Sequence, residues 1–206
     1  MRVYELDREQ NVILQGIRRT RAAEAERTGL HVSTIIQSIL DHIDSSRARH
    51  DEIDEATGLA FQEIGNALEA AVATTLVQRI PGWTKPEPRT YRGITGSPDG
   101  WSPRAQCIDE IKATWVKEST FLSVDAQHQL VEESVKFIGY KMQILFYMKL
   151  WKAMRARLHV LFVCGNHRPP FPSPRPFLLK PTPREIDGNF DMLRQHAIDE
   201  RMLKAV

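Results

Sequence analysis

The chain has 206 residues, 42% of them hydrophobic and 26% charged, with a formal net charge of +2 and a pI of about 8.6. That length predicts one domain with a sizeable core, and that composition excludes a disordered chain. The charge is too small to announce a nucleic-acid partner, so any such surface must come from uneven placement of Lys and Arg. Cys107 and Cys164 are the only cysteines, which excludes a disulfide framework and a cysteine-rich zinc site. The polar run from Glu5 to Gln10 does not resemble a signal peptide, and no apolar run approaches a membrane span. The expectation is a cytoplasmic protein without a membrane partner.

In chain order, Val3 to about Arg27 reads as a mostly exposed helix stopped by Gly29. A second helix starts near Ser33 or Thr34, either of which suits a cap, and carries Ile35, Ile36, Ile39, Leu40 and Ile43 on one face. After a polar connector from Ser45 to Thr57, a third helix is expected from about Leu59 to Gln78. Its apolar face would be Phe61, Ile64, Leu68, Val72 and Leu76. Pro81-Gly82-Trp83 and Pro86-Glu87-Pro88 end helical continuity. Two strands follow, about Arg89 to Ile94 and Gln106 to Thr114, joined by a stretch rich in Gly and Pro. A long helix is predicted from near Gln129 to Met154, with Gly139 a candidate break.

Leu158 to Val163 is nearly continuous in apolar residues and reads as a strand buried on both faces. The Pro-rich stretch His167 to Pro176 reads as an irregular loop, with a short strand returning at Phe177 to Leu179. Thr182-Pro183-Arg184-Glu185 is a capping box with proline at the first helical position, opening a last helix that runs to about Leu203. The expected fold class is α/β, a central mixed β-sheet flanked by helices, with a helical N-terminal extension. One domain over 1–206 divides into that extension (1–54), a catalytic core (59–164), and a Pro-rich loop with a C-terminal helix (165–206).

The chemistry is concentrated in Gly96-Ser97-Pro98-Asp99-Gly100 and Asp109-Glu110-Ile111-Lys112. Asp99 sits on a tight turn, while strand alternation puts Glu110 and Lys112 on one face and Asp109 and Ile111 on the other. Two acids able to share a divalent cation, beside an amine, suit hydrolysis of a phosphodiester. Mg²⁺ or Mn²⁺ accepts such oxygen donors, with the Ile111 backbone carbonyl as a further ligand. Lys112 would orient the attacking water or stabilise developing charge, and whether it is also a base turns on its pKa. A Pro-Asp-Gly turn is common and Glu-x-Lys is weak by itself; the order and spacing together favour the functional reading over an ordinary hairpin. Gly65 and Glu69 share a face of the third helix, where the small residue permits close packing and Glu69 becomes a third carboxylate for the metal, with Glu63 its competitor. Gln143 and Tyr147, four apart on the long helix, present hydrogen-bonding groups from one side.

In this order the residues resemble the PD-(D/E)xK nuclease superfamily, and more narrowly the branch containing phage lambda exonuclease and the RecB-type nuclease domains. The resemblance rests on Gly65-x-x-x-Glu69, Ser97-Pro98-Asp99-Gly100, Glu110-Ile111-Lys112 and Gln143-x-x-x-Tyr147. It implies Asp99 and Glu110 as metal-binding acids, Lys112 as the catalytic lysine, Glu69 completing the metal site, and Gln143 and Tyr147 positioning DNA or the site. It also implies Mg²⁺-dependent DNA hydrolysis, often exonucleolytic, of the kind phage recombination exonucleases perform. A trimeric ring and a recombination partner protein are consistent with the resemblance alone. Competing readings are a structure-specific or restriction-like endonuclease on the same core, and a non-catalytic DNA-binding or phage structural module.

DNA contacts require Lys and Arg near the phosphates. The candidates are Lys117 after the second strand, Arg18, Arg19 and Arg21 on the first helix, and Lys149, Lys152, Arg155 and Arg157 late in the long helix, this last cluster ahead of the N-terminal one. A basic run interleaved with Glu is most often a solvated helix face. Trp83, Trp101 and Trp115 flank the site, with a core or rim role expected over base stacking for each.

Overall fold

Two mixed sheets lie among four helices in the computed structural model, which describes residues 29–44, 55–116, 122–124, 130–163 and 172–204. Of residues 55–60, 122–124 and 130–133 only the backbone is described. The helix expected over Val3 to Arg27, with Arg18, Arg19 and Arg21, lies outside the described residues, as do Lys117 and Cys164. No described helix is long and apolar enough to cross a membrane.

The smaller sheet has the order β1-β3-β2, from Leu30–His31 (β1), Arg89–Tyr91 (β2) and Ile94–Gly96 (β3). β2 and β3 close through a two-residue loop in which Arg92 and Gly93 both have positive φ, 47° and 84°, the geometry that matches the twist of paired strands. This corrects the expected single strand from Arg89 to Ile94, which is two short strands folded on each other. Neither pairs with the strand carrying Glu110. That partner is β4 (Gly100–Ser102), antiparallel to β5 (Cys107–Thr114).

The larger sheet continues from β4 and β5 to β8 (Arg155–Phe162), parallel to β5, and then to β9 (Ser173–Leu179), antiparallel to β8. β9 begins inside the stretch expected to be an irregular loop. Pro174 and Pro176 are tolerated because this is an edge strand, and two positions apart their missing N–H groups fall on the same side. Leu122–Val124 (β6) and Leu130–Glu133 (β7) form a separate antiparallel ribbon.

Helix α1 (Val32–Ile43) starts earlier than its Ser and Thr suggest. His31 is the N-cap residue and no side chain caps it. The parallel pairing of Leu30 and His31 with β3 fixes the chain up to that point, and tertiary pairing outweighs capping preference. Val32, Ile35, Ile36 and Leu40 are buried, whereas Ile43 is exposed.

Helix α2 (Glu55–Arg79) begins in the stretch read as connector. Its buried stripe is narrower than the predicted face: Gly65 is buried, Leu68, Val72 and Leu76 are half-buried, and Phe61 and Ile64 are exposed. Gly65 lies where a Cβ would meet Ala113 at 3.7 Å and the Trp115 ring at 3.8 Å, so the helix approaches β5 closely there.

Helix α3 (Val135–Trp151) is shorter than predicted, because Leu130–Glu133 pairs as β7 and the Ser134 hydroxyl accepts the Phe137 N–H. Gly139 does not break it. A Cβ at Gly139 would lie 2.8 Å from Leu40, so the glycine allows α1 and α3 to cross. Phe137, Met142, Ile144, Leu145, Phe146 and Met148 are all buried, as expected of a helix at the centre of a domain. Helix α4 (Pro183–Asp199) opens on the predicted capping box, with Thr182 and Glu185 bonded reciprocally. The main core joins α1, α3 and α4 to the Ile108 face of β5 and the Leu158, Val160 and Phe162 face of β8.

Candidate active site

The local architecture brings Asp99, Glu110, Lys112, Glu69, Gln143 and Tyr147 to one cleft of about 870 Å³. Asp99 lies between β3 and β4 and is bracketed by two glycines pressed against aromatic rings. A Cβ on Gly96 would come within 2.6 Å of Tyr147, and one on Gly100 within 2.1 Å of Trp83. Larger residues there would displace the backbone, so the rings set where the turn sits. The Ser97 hydroxyl, donating to the Pro86 carbonyl at 2.8 Å, ties the turn to the preceding loop.

β4 accompanies β5 only as far as Asp109, because Gly100 is the last residue in register. Beyond that point the backbone edge of β5 needs other partners, and acid side chains supply them. The Ile111 N–H donates to Asp99 Oδ2 at 2.7 Å, and the Ala113 N–H donates to Glu69 Oε1 at 3.0 Å. Each acid therefore spends one oxygen on β5. Glu110, almost wholly buried, pairs through Oε1 with Lys112 Nζ at 2.6 Å, while its Oε2 is buried with no protein partner. Tyr147 accepts a hydrogen bond from Gln143 Nε2 at 2.7 Å, and Lys112 Nζ lies 5.9 Å from the centre of the Tyr140 ring.

Burial works to lower the Lys112 pKa, but Glu110 and Asp99 outweigh it and hold the ammonium above the usual lysine range. Burial raises Glu69, against the pull of Lys112 and the Ala113 N–H. Burial likewise raises the Tyr147 phenol, with Glu110 adding to the effect. Glu110 is pushed up to about 8, by burial first and then by Asp99 and Glu69, against the pull of Lys112. A carboxyl raised in this way stabilises the fold while protonated. Its contribution is complete below its usual value of 4.5 and is lost as the pH rises through about 8. Without divalent cations, Glu110→Gln is therefore expected to gain stability relative to the unchanged chain between about pH 5 and pH 8, on the order of a few kcal/mol. Parallel denaturant melts at the two pH values measure this, and a gap that does not widen would contradict it.

Some anticipated residues lie elsewhere. Lys149 pairs with Asp187 at 2.6 Å, and the Arg155 guanidinium donates to the Ala105 carbonyl at 3.0 Å; neither lines the cleft. Arg155 and Arg157 belong to β8 rather than to the end of the long helix. His31, Ser33, Lys85 and Thr95 do line the cleft and were not anticipated. No spacing signal marks them, because β1, the start of α1, the loop before β2 and β3 reach the site only through tertiary folding.

On the opposite face of β5, Asp109 is fully buried and holds three partners. Arg157 donates Nε and Nη2 to its two oxygens at 2.7 Å each, His159 Nε2 lies 2.8 Å from Oδ1, and the Trp83 indole donates to Oδ2 at 3.1 Å. Burial tends to raise the Asp109 pKa, but the bonds from His159 and Arg157 prevail and hold it below the usual carboxylate range. Arg157-x-His159, two polar residues on one face of an otherwise apolar strand, is the sequence signal for this cluster.

No protein-family model and no curated protein sequence matches the chain. Solved structures do match. The crystal structure of SSO0001 aligns with a TM-score of 0.51 at 14% identity, covering 94% of this chain and 87% of that one. A phage-related exonuclease from Haemophilus somnus 129PT aligns with a TM-score of 0.51 at 17% identity, covering 84% of this chain and 93% of that one. The likeness is one of fold.

Proposed function

We propose that this chain is a metal-dependent deoxyribonuclease of the PD-(D/E)xK superfamily, in the branch with lambda exonuclease and the RecB-type nuclease domains, acting from DNA ends. The observation that carries this reading is the meeting of Asp99, Glu110 and Glu69 with Lys112 in a single cleft. A fold shared with a phage-related exonuclease supports it.

The donor set fits a hard divalent cation. Glu110 Oε2 is a buried oxygen without a protein partner, and Asp99 and Glu69 each keep an oxygen not bonded to β5. Asp99, Glu110 and Glu69, with the Ile111 backbone carbonyl, would hold Mg²⁺ or Mn²⁺. The cation would neutralise phosphoryl oxygens and acidify the attacking water. Glu110 must give up its proton to serve as a ligand, so cation affinity should rise with pH.

Glu110 and Asp99 hold the Lys112 ammonium above the usual lysine range, which favours Lys112 as a hydrogen-bond donor to the water or to the phosphoryl oxygens. Glu110 Oε1 holds its amine in place. Gln143 and Tyr147 would position the phosphate backbone from α3, and Lys85 is the cleft cation most readily offered to DNA.

Incubation with end-labelled linear duplex and with covalently closed circular DNA tests the reading. With Mg²⁺ the linear substrate should be consumed from its ends while the circle survives, and a chelator should stop the reaction. Cutting of the closed circle would replace the exonuclease reading with an endonuclease one. No digestion with either Mg²⁺ or Mn²⁺ would contradict the enzyme reading.

A further inference from the structure

Away from the cleft, the ends of α1 and α4 bring His42, His196 and Glu200 together, with one ligand atom from each lying within 4.8 Å of the others. His196 and Glu200 are four residues apart at the end of α4 and so project from the same side, while His42 arrives from the last turn of α1. We propose that these three side chains form a binding site for a borderline divalent transition metal, Zn²⁺ by preference, that clips α1 to α4.

Ring orientation favours a metal. His42 Nδ1 lies 2.8 Å from the Ser38 carbonyl oxygen, which can only accept, so Nδ1 carries the hydrogen. In the neutral ring the lone pair then sits on Nε2, and that atom faces Glu200 Oε1 at 3.7 Å. A metal ion between that lone pair and the carboxylate, taking the place of an imidazolium proton, would satisfy both. A backbone carbonyl fixing one imidazole nitrogen so that the other can ligate is the usual outer support of a metal-bound histidine. The second ring is also held, since His196 Nε2 lies 2.9 Å from the Ser38 hydroxyl. Ser38 thus orients both histidines, one through its carbonyl and one through its side chain.

Bonds of about 2 Å in a tetrahedral site place ligand atoms roughly 3.3 Å apart. The His42–Glu200 separation exceeds that by a few tenths of an ångström, and the other separations, all within 4.8 Å, would close by side-chain rotation. Two imidazoles and one carboxylate suit Zn²⁺ or Co²⁺ and not Mg²⁺, which prefers an all-oxygen set. His42 is 62% exposed, so the ion has a route in and solvent can fill its remaining position. At its other end α1 contributes Ser33 to the wall of the cleft, next to His31, so a clip at Glu200 would steady that wall.

Zn²⁺ titration by calorimetry with excess Mg²⁺ tests the site, using the full chain carrying Asp99→Asn so that zinc does not report on the cleft. One equivalent should bind, and the thermal midpoint should rise. His42→Ala or His196→Ala should each weaken binding by more than about 100-fold, and Ser38→Ala, which loses an orienting bond, by about tenfold. No zinc binding, or binding unchanged in both histidine variants, would overturn the site. If a histidine variant does not fold, the Co²⁺ complex of the Asp99→Asn chain with both histidines intact decides. Paramagnetically shifted imidazole resonances from two histidines support the site, and their absence overturns it.

Discussion

Replacing Lys112 with Met is expected to lower Mg²⁺-dependent DNA hydrolysis on the order of 10²–10³-fold, and Asp99→Asn is expected to do the same. Lys112→Met keeps the length of the side chain and removes the one ammonium that Glu110 Oε1 holds in the cleft. Charge developing on the phosphoryl group then loses its donor, while the DNA contacts made elsewhere survive. The loss should therefore fall on kcat more than on KM. Asp99→Asn still accepts the Ile111 N–H through its carbonyl, so the turn stays tied to β5 while the negative charge disappears. The defect in that variant should include weaker cation binding, visible as a higher Mg²⁺ requirement. Steady-state rates across a Mg²⁺ series separate the two effects. Either folded variant retaining full activity would remove that residue from the reaction.

Asp109→Ala should cost about 3–5 kcal/mol of stability, the penalty of removing one member of a buried ion pair. Its carboxylate is fully buried and answers Arg157, His159 and Trp83, whose side chains reach solvent only partly or not at all: Arg157 is 29% exposed and His159 16%. Deleting the acceptor leaves a guanidinium, an imidazole and an indole N–H without their common partner. Replacing both members, Asp109→Leu with Arg157→Met, should recover part of the loss, because two apolar groups leave no charge unpaired. The folded pKa of Asp109 is depressed, so its contribution is present above the ordinary carboxylate range and is lost as the pH falls below about 4. Urea melts of the single and double variants at neutral and acid pH measure these differences. A single variant as stable as the unchanged chain would show that the cluster does not hold β5 to β8.

The sequence shows the site more plainly than the sheet that carries it. Strand alternation was enough to put Glu110 and Lys112 on one face of β5 and Asp109 on the other. Helical spacing was enough to place Glu69 one turn beyond the small residue that packs on Ala113. These are local periodicities, and a single sequence carries them directly. The partner of β5 was not legible. Arg89 to Ile94 has the composition of a strand, yet Arg92 and Gly93 fold it back on itself, and the three residues from Gly100 pair with β5 instead. Pairing is decided by which edges meet, and local composition is silent about that. The same cause hid β7 inside a helix-like run and β9 inside a Pro-rich one. Lys149 shows the limit for charges: its place on a helix is legible, but its partner Asp187 comes from α4, which no spacing rule brings near.

The most direct measurement is the anomalous scattering of crystals soaked in Mn²⁺. The proposal predicts a peak in the cleft within bonding distance of Asp99, Glu110 Oε2 and the free oxygen of Glu69, lost in Asp99→Asn. Crystals in which the cleft stays without a peak, or in which Mn²⁺ settles only at other carboxylates, would contradict it.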